Sequence, residues 1–118
     1  MSTVRENILK NKEIMTVKNI ILETVECDKI FLFGSYANGT QQENSDFDFY
    51  VVLKNEDLNT IFAEQSIYRN LSKREGRNIP IDILTENKTK FNDLCVLPTI
   101  ERKIAREGVL LYKTTEHT

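Results

Sequence analysis

Residues 46–54, Asp-Phe-Asp-Phe-Tyr-Val-Val-Leu-Lys, constrain this chain more than any other segment. Acid and aromatic alternate at its start, and the segment then turns wholly apolar. On a strand, residues two apart point to the same face. Asp46 and Asp48 therefore project together, while Phe47 and Phe49 enter a core on the other side. Two aspartates held side by side repel one another, which raises one pKa. The arrangement becomes favourable when a divalent cation lies between them. Oxygen-only donors of this kind suit Mg²⁺, which keeps several waters and completes its shell from phosphates.

The flanking segments supply the rest of a fold. Ile14, Val17, Ile21 and Val25 recur at three- and four-residue spacing, and a single helix is predicted from about Val4 to Val25. Lys29–Phe33 is β-branched and aromatic and stops at Gly34, the pattern of a buried strand. Ser35–Ala37 is predicted as a helical turn, and residues 38–45 (NGTQQENS) as a loop opened by an Asn-Gly turn. After the strand at 46–54, Asn55 or Asp57 is predicted to cap a helix running to about Glu75. Leu58, Ile61, Phe62, Tyr68 and Leu71 form its expected apolar face, and Gly76-Arg77-Asn78 its stop. Ile79–Thr85 reads as a third strand, with Pro80 marking a terminus or an edge. A helix over Lys88–Cys95, a last helix over Pro98–Glu107 stopped by Gly108, and a short strand over Val109–Tyr112 complete the order. The predicted class is α/β (α+β): one domain over residues 1–118, with a small mixed sheet packed against helices on one side.

Two further features belong with the acidic strand. Asp82 lies between Ile81 and Ile83, again acid on one face and apolar on the other. If its strand pairs beside the second, three carboxylates converge. Three acids can hold two metal ions roughly 4 Å apart, a clamp for the attacking and leaving oxygens of phosphoryl displacement. Gly34-Ser35 is the other feature. A glycine directly after a buried strand lets a phosphate approach closely, and the amides and hydroxyl that follow can cradle it.

Composition narrows the chemistry. The chain has 118 residues, 29% of them charged, and a net charge of −2, so it has no general attraction for nucleic acid or anionic membranes. Any polyanion must be gripped locally. Apolar runs reach only four or five residues, far short of a membrane span, and the polar N-terminus lacks a signal-peptide core. Residence in the cytoplasm is expected. Cys27 and Cys95 are isolated and read as reduced structural residues, and His117 has no second ligand near it in sequence. A histidine metal site or a Ser/His/Asp triad is thereby set aside. An EF-hand over the Asn44–Asp48 region also fails, because its glycine and its twelfth-position glutamate are missing.

Taken in order, Gly34-Ser35, ten residues, Asp46-Phe47-Asp48 and a later-strand Asp82 resemble the signature of the polymerase-β-type nucleotidyltransferase superfamily. The closing segment 104–112, IAREGVLLY, is similar to that of its minimal nucleotidyltransferase (MNT) branch. The resemblance implies that Asp46 and Asp48 coordinate two Mg²⁺ ions, with Mn²⁺ as an alternative. It implies that Asp82 holds the catalytic metal and helps to activate the acceptor hydroxyl. Gly34 and Ser35 would bind the β- and γ-phosphates of a nucleotide, usually ATP. Relatives that modify small molecules or extend RNA add a helical domain to grip the acceptor. An MNT chain instead borrows that surface from a second copy or a partner, commonly a helical HEPN toxin for which it is the antitoxin. Transfer of AMP to a tyrosine of that toxin is the leading implication. The alternatives are an antitoxin acting by contact alone and a free-standing small-molecule adenylyltransferase.

One departure from the family pattern stands out. Many members carry a basic residue after Gly-Ser, where this chain has Tyr36-Ala37-Asn38-Gly39. Lys54, Arg69, Lys73, Arg74 and Arg77 are the basic residues weighed as substitutes; the plainer reading is a solvated helix face. Tyr36 and Tyr50 read as packing residues rather than base-stacking platforms.

Overall fold

A computed structural model describes residues 3–42, 45–74 and 79–115. Two helices, α1 (Val4–Leu9) and α2 (Lys12–Thr24), replace the single one expected. Asn11 divides them: its side chain accepts from the Ile14 amide at 3.0 Å, capping α2. Asparagine competes with the helical backbone in this way wherever its side chain can reach a free N–H.

The chain continues as β1 (Cys27–Phe33), α3 (Ser35–Asn38) and β2 (Phe47–Leu53). It then forms α4 (Thr60–Leu71), β3 (Ile81–Asn87), α5 (Lys88–Cys95), α6 (Ile100–Glu107) and β4 (Val109–Lys113). Asn59, not Asn55 or Asp57, caps α4, accepting from the Ile61 and Phe62 amides. Asn55 instead accepts from the Asp57 amide in a tight turn. Ala63, Ile67 and Leu71 face the sheet, whereas Ile61 is 67% exposed, Phe62 59% and Tyr68 38%, so three residues of the expected apolar face are exposed. α4 stops at Leu71, short of Glu75; Glu75 and the expected stop at residues 76–78 lie outside the described residues, as do Glu43, Asn44 and His117. β3 begins two residues later than predicted, and α6 begins at Ile100 behind a Thr99 cap, with Pro98 outside it.

The sheet order is β3-β2-β1-β4. β1 pairs antiparallel with β2 and β4, and β2 pairs parallel with β3, which makes the sheet mixed. Pro80 precedes edge strand β3, where its missing N–H removes no ladder bond. On one face, Ile30, Leu32, Phe47, Phe49, Val51 and Ile83 pack with α2 and α4. The other face is also covered. Phe31, Tyr50 and Val52 bury Phe91 of α5 and Ile104 of α6, which corrects the expectation of helices on one side only. The reason lies in β2: beyond Phe49 it is apolar on both faces and needs cover on each. Only its opening residues leave one face polar, and that is where the acids are.

Candidate active site

Strand register brings the expected residues to one level. Phe33, the last residue of β1, pairs with Asp48, and Asp48 pairs in turn with Asp82 across the parallel β2–β3 ladder. Asp46 lies one residue before β2, on the acid side of the alternation. Phe47 and Phe49 are fully buried on the opposite face. Tyr36 packs edge-on against Phe47 with ring centroids 4.5 Å apart, and is a packing residue as expected.

Electrostatics record the convergence. The Asp48 carboxyl is pushed from 3.8 to about 6, first by burial, then by the charges of Asp82 and Asp46, and by a hydrogen bond with Asp82. Without a cation, the cheapest arrangement of two crowded carboxyls is to share a proton. Among the described residues, no group of three or more acid, histidine or cysteine side chains is already gathered closely enough to enclose a metal ion. The donor set nevertheless fits a hard divalent cation, because it consists of carboxylate oxygens whose crowding a cation would relieve.

Gly34 joins the acids to the turn opened by Ser35. Its φ of 78° and ψ of −155° fall in a region open almost only to glycine. A Cβ there would collide with Oδ2 of Asp48 and stand 3.3 Å from its Cγ. The glycine is thus required twice, by its backbone conformation and by the carboxylate beside it. Ser35 opens α3, and Gly39, at φ 73°, closes it with its amide directed to the Ser35 and Tyr36 carbonyls. The expected turn after Gly34-Ser35 is present, one residue longer than read from sequence.

Supporting residues that the sequence did not reveal come from α4 and α6. The Tyr68 hydroxyl of α4 accepts from the Ile83 amide at 2.8 Å, tying down the outer edge of β3 next to Asp82. Tyr50, two residues beyond Asp48, donates its hydroxyl to Glu101 of α6 at 3.0 Å, and burial raises its pKa. Lys103 and Glu107 of α6 line a cavity of about 160 Å³ with Phe33, Gly34 and Asn38. Of the basic residues weighed as substitutes, Arg74 is committed elsewhere. Its guanidinium donates to the Leu71 and Ile79 carbonyls and lies 3.9 Å from Glu13. Arg69 and Lys73 are exposed, as a solvated helix face would be, and Arg77 is outside the described residues.

Comparison with known proteins agrees with this fold. A family model described as polymerase beta, nucleotidyltransferase, matches residues 15–117. No curated protein matches the sequence significantly. Among solved structures, the chain is similar to a toxin–antitoxin crystallised with AMP-PNP, with a TM-score of 0.53 and 22% identity over 86% of this chain and 73% of that one. It is also similar to a candidate nucleotidyltransferase from Sulfolobus solfataricus, with a TM-score of 0.55 and 18% identity over 96% and 90%. A third likeness is to the toxin–antitoxin MntA–HpeT carrying two Asp-to-Glu changes two residues apart (TM-score 0.50, 18% identity, 86% and 73%).

Proposed function

Since the chain belongs to the polymerase β nucleotidyltransferase family, we propose that it transfers AMP from ATP to a hydroxyl acceptor, with a divalent metal held by Asp46, Asp48 and Asp82. The observation that carries this reading is the convergence of Gly34, Asp48 and Asp82 at one end of three adjacent strands. A phosphate turn and an acid cluster in contact are what a nucleoside triphosphate requires.

In this reading the Gly34 and Ser35 amides and the Ser35 hydroxyl hold the β- and γ-phosphates. Asp46, Asp48 and Asp82 would hold Mg²⁺, or Mn²⁺ in its place. A metal bound by these carboxylates would supply charge neutralisation at the phosphates and a lowered pKa at the acceptor hydroxyl. Asp82, the most exposed of the three on its edge strand, receives the acceptor's proton. The acceptor oxygen forms a bond to the α-phosphorus, the α–β phosphoanhydride bond breaks, and pyrophosphate leaves. Burial of Phe47 and Phe49 keeps the acids from turning inward, so the geometry is fixed before substrate arrives.

The acceptor we favour is a tyrosine of a helical HEPN toxin, with this chain as the antitoxin. Support comes from the toxin–antitoxin relatives, one with AMP-PNP and one altered at two aspartates with the spacing of Asp46 and Asp48. Among the described residues no helix is long and apolar enough to cross a membrane, and Cys27 and Cys95 are free thiols. The test is incubation of the purified protein with Mg²⁺, α-labelled ATP and a co-expressed HEPN partner. Label on a partner tyrosine is expected. Its absence, or neutralisation of the partner undiminished by Asp48→Ala, would replace transfer with inhibition by contact; turnover without any protein partner would indicate a small-molecule acceptor.

A further inference from the structure

A local cation is missing from the segment after Gly34-Ser35, in a chain of net charge −2. The tertiary structure brings one to that place from a distant part of the sequence. α6 lies across the polar end of the sheet, on the acid side, anchored by Ile104 among Phe31, Tyr50 and Val52 and by the Tyr50–Glu101 hydrogen bond. Directly after it, β4 pairs with β1 through Val109 and Leu32, one residue from Phe33. The last turns of α6 are thereby held opposite the Gly34 turn. Between them is the cavity of about 160 Å³ bounded by Gly34, Ala37 and Asn38 on one wall and Lys103, Ile104 and Glu107 on the other.

We propose that Lys103 binds the terminal phosphate of the nucleoside triphosphate, replacing from α6 the basic residue that the segment after Gly34-Ser35 lacks. The proposal rests on the nucleotidyltransferase reading of the same site and adds a residue to it. Three observations carry it. Lys103 and Gly34 line the same cavity, whose width a flexible lysine stem can span to bring an ammonium to the Gly34 turn. Among the described residues it forms no ion pair, so its charge is available. Its neighbours Phe33, Ile100 and Ile104 are apolar, which lets the stem pack while the charge stays at the opening. The apolar wall also reduces screening of an ammonium–phosphate contact.

Glu107 lies one helical turn from Lys103 in the same cavity and opposes a phosphate. Its carboxylate restrains affinity for the triphosphate. Removing that charge is therefore expected to act in the opposite direction to removing Lys103.

The experiment measures ATP and AMP binding to the full chain by calorimetry in Mg²⁺, for wild type, Lys103→Ala, Lys103→Arg and Glu107→Gln. Circular dichroism confirms that each exposed substitution leaves the fold intact. Lys103→Ala is expected to weaken ATP binding about tenfold or more and leave AMP unchanged, because AMP has no terminal phosphate to contact. Lys103→Arg retains most of the ATP affinity, and Glu107→Gln tightens it a few-fold. Equal ATP affinity in wild type and Lys103→Ala would overturn the assignment. Equal weakening of ATP and AMP would also overturn it, and would place the base or ribose in the cavity. Failure of wild type to bind ATP at all would instead remove the nucleotidyltransferase reading on which the proposal rests.

Discussion

Replacing Asp48 with asparagine should stabilise the metal-free protein while abolishing its transfer activity. In the folded chain the Asp48 carboxyl rises from 3.8 to about 6, through burial and through the charges of Asp82 and Asp46. A rise of that size corresponds to a ceiling near ~3 kcal/mol, at about 1.4 kcal/mol for each tenfold change in proton affinity. Asp48 is only half-buried, so solvent screening reduces this to on the order of 1 kcal/mol. The sign follows from proton binding. Between about pH 4 and 6 the folded state holds a proton that the unfolded state has released, so stability falls as pH rises through that window. Above about pH 6 the penalty is complete. The asparagine side chain carries no charge and retains an amide that can hydrogen-bond Asp82, so the variant escapes the penalty. Urea unfolding in EDTA should show wild type losing about 1 kcal/mol from about pH 4 to 7 on this account, with a flatter profile for Asp48→Asn and greater stability at pH 7. Transfer of α-labelled AMP should fall by about two orders of magnitude or more in the variant. Identical pH profiles for the two proteins, or a less stable variant at neutral pH, would refute the idea that the three acids are held together against their repulsion.

Mg²⁺ should raise the stability of wild type by about 2–3 kcal/mol at roughly a hundredfold excess over its Kd, and leave Asp48→Asn nearly unmoved; equal shifts by calorimetry would place the ion elsewhere. Gly34→Ala should cost about 1–3 kcal/mol from its backbone conformation and displace Asp48, lowering transfer by about 10²-fold, and a fully active, equally stable variant would contradict that. Tyr50→Phe deletes the 3.0 Å hydrogen bond to Glu101 and should destabilise by about 1–2 kcal/mol in urea. An unchanged midpoint there would mean that water serves Glu101 equally well.

The acid strand is legible because its chemistry repeats at the period of a strand. Alternation alone assigns Asp46 and Asp48 to one face and Phe47 and Phe49 to the other, and burial of the two rings bears that out. Gly34 is legible in the same way, as a glycine closing a buried strand, although the reason it cannot be replaced is the Asp48 carboxylate from another strand. Local capping is harder to read. Asn11 and Asn59 escape notice as helix boundaries because an asparagine looks alike within a polar helix face and at its end; only the amide it meets distinguishes the two. The inward face of α4 falls on Ala63, Ile67 and Leu71, and the bulkier Ile61 and Phe62, expected inside, lie off that stripe in solvent.

What the sequence by itself determined was the local code: which residues alternate, where the turn after Gly34 lies, and that Asp82 occupies a strand of its own. Pairing was decided by the tertiary structure. Parallel association of β2 with β3 sets Asp82 level with Asp48, a choice that no spacing between residues 48 and 82 encodes. The covering of both sheet faces likewise follows from burial summed over Phe31, Tyr50 and Val52, contributed by two strands. It is that second layer which carries Lys103 to the Gly34 turn. Periodicity is a property of neighbours along the chain and survives in the sequence, whereas a site shared by strand, turn and distant helix exists only once the core has packed.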